Sequence, residues 1–140
     1  MYTSILVPID LNHPNSWERC LKQAVELCQH YHASLYILSI VPEFKMPIVA
    51  GFFPQNFEEK ARQTLIDTLH EVVQQHVPKI LEAQQIIATG KVYEVILQTA
   101  NEVKADLIVL SASLFPKATN TGPNAEYVAR MAQQSVLLVR

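Results

Sequence analysis

The chain has 140 residues, of which 49% are apolar and 17% charged, and a formal net charge of −2. That suffices for one compact domain spanning 1–140 and is too short for two ordinary ones, and it is too apolar for a disordered chain. With no basic run, nucleic-acid binding through backbone phosphates is excluded as a reading. No apolar run approaches the ~20 residues of a membrane span. The opening "MYTSILVPID" lacks the basic region, long apolar run and cleavage site of a secretory signal, so the expected location is cytoplasmic.

In chain order, "SILVPI" (4–9) is an apolar run of strand length. Residues 15–31 then carry a helical stripe of Trp17, Cys20, Leu21, Ala24, Val25 and Cys28, with "HPNS" as the start signal. The two cysteines are eight residues apart, about 12 Å along a helix axis, too far for a disulfide. On an apolar stripe they read as packing residues. "LYILSIV" (35–41) is a second strand, followed by "PEFKMPIVAGFFP" (42–54), an apolar loop that is either a packed flap or an interaction surface. Its Met46, Phe52 and Phe53 read as packing for that flap.

Residues 55–76 place Phe57, Ala61, Leu65, Leu69, Val72 and Val73, with Val77 beyond, on one helical face, and Pro78 ends the run. "QQIIAT" (84–89) is a more polar strand. A helix over 92–104 starts after "GK" and carries Val92, Val95, Ile96, Thr99, Ala100 and Val103. "DLIVLS" (106–111), a short helix over 124–132 and "SVLLV" (135–139) complete the chain.

The apolar runs do not alternate with polar residues, as strands with one wet face would. They read as strands covered on both sides. The β-α alternation predicts a doubly wound α/β domain with a five-stranded parallel sheet, order 3-2-1-4-5, and helices on both faces. Polar "QQIIAT" then lies at one edge and "SVLLV" at the other. An edge that apolar should be covered, and a second copy of the chain, paired strand to strand through 135–139 as a homodimer, is the simplest cover.

In such a sheet, ligands bind beyond the carboxyl ends of the strands, where the strand order reverses. That rule brings together Pro8, Ile9, Asp10 and Leu11, then Val41 and Pro42, then Gly90, and the loop 111–122. Asp10 reads either as a ligand contact or as a cap for the turn after its strand, and Gly90 as a tight turn or a sugar contact. The histidines (His13, His30, His32, His70 and His76) show no zinc-like spacing, so no metal site is expected. His13 follows Asp10 near the crevice, but no nucleophile or orienting partner stands out beside it. No catalytic residue is assigned.

The motifs "ILVPIDL", "VP" after the second strand, "GKVYEVILQTANEVKADLIVLSA" and "GPNAEYVARMAQQSVLLVR" resemble those of the universal stress protein family, small α/β proteins related to the adenine nucleotide α-hydrolases. The resemblance covers nearly the whole chain. It implies an adenine nucleotide, ATP or AMP, with the base and ribose near Pro8, Ile9, Asp10 and Val41. It also implies phosphates, with Mg as a candidate companion, held by a loop of pattern G-x2-G-x9-G-S/T.

Here that loop departs from the pattern. Ser111, after Leu110, stands at the first glycine, Leu114 at the second, Gly122 at the third and Pro123 at the Ser/Thr position, and the second gap is two residues short. Pro123 removes an N–H and a hydroxyl from a helix N-terminus that would bind anions. Donors that remain include Ser113, Thr119, Asn120, Thr121, the Gly122 and Asn124 amides and Lys117. "SLFP" (113–116) sits like a variant of the "SHRP" segment in a branch of the family associated with adenine nucleotides. The adenosine end reads as intact and the phosphate end as weakened.

Three readings follow. The first is a nucleotide-binding sensor or regulator in stress physiology that needs no cofactor and hydrolyses ATP slowly at most. The second is a family member that has lost its nucleotide and works as a dimeric interaction protein. The third, with least support, is a nucleotide phosphohydrolase. A flavodoxin-like electron carrier shares the expected architecture, but the first loop lacks the phosphate cradle that it needs.

Overall fold

The computed structural model describes residues 1–11, 13–41, 57–112 and 124–140. The order of elements is β1 (Ser4–Ile9), α1 (Pro14–Tyr31), β2 (Ser34–Val41), α2 (Phe57–His76), a 3-10 turn (Lys79–Leu81), β3 (Gln84–Thr89), α3 (Val92–Glu102), β4 (Leu107–Ser111), α4 (Asn124–Met131) and β5 (Ser135–Val139). All strand pairs are parallel, and the sheet order is β3-β2-β1-β4-β5. The expected doubly wound fold is therefore the observed one.

The strands are uniformly apolar because each side of the sheet carries its own core. Ile5, Val7 and Ile9 pack with Leu35, Ile37, Leu107 and Val109 beneath the stripe of α1 and the buried end of α2. The intervening residues, Leu6, Leu38, Ile40, Ile108 and Leu110, pack on the other side against Ile96 and Ala100 of α3 and Ala125 and Val128 of α4. Successive side chains of a strand point to opposite faces, so a strand covered twice has no polar phase.

Boundaries moved by a residue or two, with one addition and one shortfall. The 3-10 turn after Pro78 has no counterpart in the hydrophobic pattern, and its Ile80 is 84% exposed. The stripe of α2 is buried only toward its end. Leu69 and Val72 are buried, whereas Ala61, Leu65 and Val73 are half-buried.

The two edges differ as their compositions do. On β3, Gln84, Gln85 and Thr89 are exposed. On β5, Val136 and Leu137 are half-buried and Leu138 is 39% exposed.

Candidate functional site

The sheet forks at its centre. β1 pairs with β2 along its whole length, from Ser4 opposite Ser34 to Ile9 opposite Ser39. Its ladder to β4 covers only Ile5 opposite Leu107 and Leu6 opposite Ile108. Beyond Leu6 the chain reaches Pro8, which has no N–H to donate to a neighbouring strand. The strand order reverses between β1 and β4, and here the ladder stops short of the carboxyl ends. This is where an open α/β sheet leaves room for a ligand.

Asp10 is the first residue past β1 and is 3% exposed. His13 caps the start of α1, yet its ring makes no capping bond to the helix. It turns back instead, and Nδ1 lies 2.7 Å from Asp10 Oδ2. The pairing supplies the orienting partner for His13 that was not evident in the sequence. The turn between them is also held by the backbone: His13 N–H donates to the Asp10 carbonyl at 3.0 Å, and Ser16 N–H to the His13 carbonyl at 2.9 Å. Pro8 and Ile9 are buried in the sheet, and Ile9 packs in the core beneath α1.

Val41 ends β2 half-buried, and its carbonyl accepts the Gly90 N–H at 3.4 Å. Gly90 has φ +143°, and a Cβ there would meet Val95 Cγ2 at 3.0 Å. The tight turn is thus what requires this glycine.

Leu110 is fully buried in the core, so only its backbone is available to a ligand. Ser111, 5% exposed, ends β4 and hydrogen-bonds to Cys20 of α1. Burial pushes the Cys20 thiol up to about 11, against a smaller opposing effect of the Ser111 bond, and burial pushes Cys28 to about 11. Neither forms a thiolate near neutral pH, in keeping with packing roles.

Asn124 opens α4 and is 3% exposed, and its Nδ2 has no hydrogen-bond partner among the described residues. An unpaired buried donor costs about 1–3 kcal/mol, so its amide is a group in search of an acceptor. The candidates Ser113, Lys117, Thr119, Asn120, Thr121, Gly122 and Pro123, the second loop position Leu114 and the flap 42–54 lie outside the described residues.

Among the described residues no group of three or more His, Cys, Asp or Glu side chains is placed to hold a metal ion. No helix there is long and apolar enough to cross a membrane. A separate groove of about 650 Å³ runs between α1 and the end of α2, past Glu18, Arg19, Lys22, Glu26 and His76. Glu18, Arg19, Lys22 and Glu26 give its α1 wall two acids and two bases.

The whole chain, residues 1–140, matches the model of the universal stress protein family. Among solved structures, it is similar to the universal stress protein UspA from Lactobacillus plantarum, at 23% identity and a TM-score of 0.74, over 99% of this chain and 98% of that one. It is similar to a universal stress protein in complex with cAMP, at 20% identity and TM-score 0.66, over 99% and 97% of the two chains. A third likeness is to the universal stress protein from Archaeoglobus fulgidus in complex with dAMP, at 19% identity and TM-score 0.66, over 99% and 98%. At these identities the solved structures establish the fold, and the full-length family match establishes the kinship: the chain belongs to the universal stress protein family.

Proposed function

We propose that the protein is an adenine-nucleotide-binding module of the universal stress type, cytoplasmic, with a sensor or regulatory role in the stress response. The site is the fork at the carboxyl ends of β1, β2 and β4, with Asp10, Val41, Gly90, Ser111 and Asn124 around it. The observation that carries the reading is the conjunction of two features. The β1–β4 ladder stops at Leu6 and Ile108, and buried polar residues stand just past β1, at the end of β4 and at the start of α4: Asp10, Ser111 and Asn124. Relatives of the same fold bind cAMP and dAMP, which supports a nucleoside monophosphate as the core of the ligand.

The phosphate loop lacks two glycines and carries Pro123, so affinity should depend little on phosphate number. Two or three missing donors are worth about 1 kcal/mol each. Calorimetry with AMP and ATP, with and without Mg, tests this. Affinities within about tenfold of each other are expected. ATP a hundredfold tighter than AMP would mean that the loop is a working phosphate cradle of another design. No binding of either would favour the reading in which the nucleotide site has been lost.

The β5 edge supports assembly as well. Leu138 is 39% exposed on an edge strand of sequence "SVLLV". Two copies paired antiparallel through residues 135–139 would close that edge on itself. Light scattering should give a dimer at tens of micromolar, and Leu138→Lys should shift it to monomer. A monomeric parent protein would remove this part of the proposal.

A further inference from the structure

Asp10 at the end of the first strand is the acidic residue expected to touch a ligand directly. The geometry points to a different division of labour, one that rests on the nucleotide-binding reading above: we propose that His13 is the ligand-contacting residue, and that Asp10 acts through it by fixing its tautomer.

Three observations carry this. Asp10 is buried, its side chain 4% exposed, and Oδ2 is engaged by His13, whose own side chain is 52% exposed. The imidazole is the more accessible of the two groups. Second, a carboxylate only accepts hydrogen bonds, so in the neutral ring the 2.7 Å contact assigns the proton to Nδ1. Nε2 is then an acceptor, on the ring atom that the carboxylate does not hold. Third, the backbone also closes this turn, by His13 N–H to the Asp10 carbonyl at 3.0 Å, and the start of α1 is held separately by the Ser16 N–H and hydroxyl to the His13 carbonyl, the last at 2.7 Å. A side-chain bond that adds little to a turn already held, and that leaves its exposed partner with one defined lone pair, has the form of a positioned recognition group.

The chemistry recognised is a hydrogen-bond donor on a polar ligand. An adenine nucleotide carries two kinds, the 2′- and 3′-hydroxyls of the sugar and the exocyclic amine of the base. An acceptor on a fixed ring discriminates against analogues that lack the donor, because it is then left unpaired.

The test uses the full chain and adenosine as the probe, which removes the phosphate loop from the question. Nitrogen NMR of the ligand-free protein, at a pH where the ring is neutral, should show His13 protonated at Nδ1 and bare at Nε2. Adding adenosine should move Nε2 and leave Nδ1 protonated. His13→Ala should weaken adenosine roughly three- to tenfold, the worth of one hydrogen bond. Asp10→Asn, which relaxes the tautomer, should weaken it by no more than that. The double variant should be no weaker than His13→Ala alone, because Asp10 acts through His13.

Two analogues separate the donors. 2′,3′-Dideoxyadenosine should lose the dependence on His13 if the sugar is read, and purine riboside if the amine is. Dependence retained with both overturns the proposal. So do unchanged affinity in a folded His13→Ala protein, multiplied losses in the double variant, and adenosine shifts at Val41 and Ser111 with Nε2 unmoved. In these cases nucleotide binding itself survives. No shift anywhere at millimolar adenosine would defeat the nucleotide reading, and this inference with it.

Discussion

An aspartate lies at each end of β1, Asp106 from just before β4 at one and Asp10 at the other, and the two are used in opposite ways. At the amino end, Asp106 accepts from Thr3 N–H at 2.9 Å, Thr3 hydroxyl at 2.9 Å and Ser4 N–H at 3.2 Å. The backbone closes the same corner, with Asp106 N–H donating to the Ser4 carbonyl and Ser34 N–H to the Thr3 carbonyl, both at 2.9 Å. This end is a clasp that ties β1 to its two neighbours. At the carboxyl end, Asp10 holds a half-exposed imidazole, the ladder to β4 has stopped, and a buried Asn124 amide lacks a partner among the described residues. Among the described residues, Asp106 at the closed end is engaged by backbone and hydroxyl donors, whereas the Asn124 amide at the open end is not engaged. That asymmetry, more than the presence of an aspartate, distinguishes a binding end from a structural one.

The largest expected effect guards against reading every residue at the open end as functional. Gly90→Ala forces a side chain into φ +143° and against Val95 Cγ2. It should cost about 1–3 kcal/mol in urea unfolding. A stable Gly90→Ala protein with altered nucleotide affinity would make this glycine a ligand residue after all.

Next is the clasp. Asp106→Ala should cost about 1 kcal/mol, because water can replace part of what it provides at this exposed site, and it should leave AMP affinity unchanged. The clasp should also show in acid. Burial disfavours ionised Asp106, but the hydrogen bonds from Thr3 and Ser4 outweigh it and hold the carboxyl below the ordinary range. A depressed folded value means stability that is present above the ordinary carboxylate pKa of about 4 and lost as pH falls through the lowered one. Asp106→Ala should therefore narrow its gap to the parent protein as the pH drops from 5 toward 2. A gap that widens in acid would contradict the clasp.

The smallest stability effect belongs to Asn124. Removing an amide that has no partner among the described residues should change stability by less than about 1 kcal/mol, since relief of an unpaired donor offsets lost packing. AMP affinity should fall several-fold. Loss of stability with affinity untouched would place Asn124 with the clasp residues.

Much of this was legible in the sequence and some was not, for identifiable reasons. The order of strands followed from "SILVPI", "LYILSIV" and "DLIVLS" having no polar phase and "QQIIAT" having a partial one. Both are direct consequences of where each strand sits between two cores. Asp10 and Gly90 fell at strand ends, where the fold rule points.

The pairing of Asp10 with His13 was not read, although the residues stand only three apart. That spacing is ordinary, and only the turn back of the His13 ring, away from the helix it caps, gives it meaning. Asn124 appeared as a backbone donor at a helix start. That its amide is buried with no partner among the described residues depends on tertiary packing, which no local pattern encodes. The first half of α2 carries an apolar stripe that the described core does not cover. Periodicity reports a face and not what lies against it.

The central claim is that the open end of β1 is the ligand site, and amide chemical-shift mapping on addition of AMP tests it most directly. The account predicts the largest shifts at Asp10, His13, Val41, Gly90, Ser111 and Asn124, with Thr3, Ser4 and Asp106 unmoved. Shifts centred on the clasp, or on the groove between α1 and α2, would contradict it.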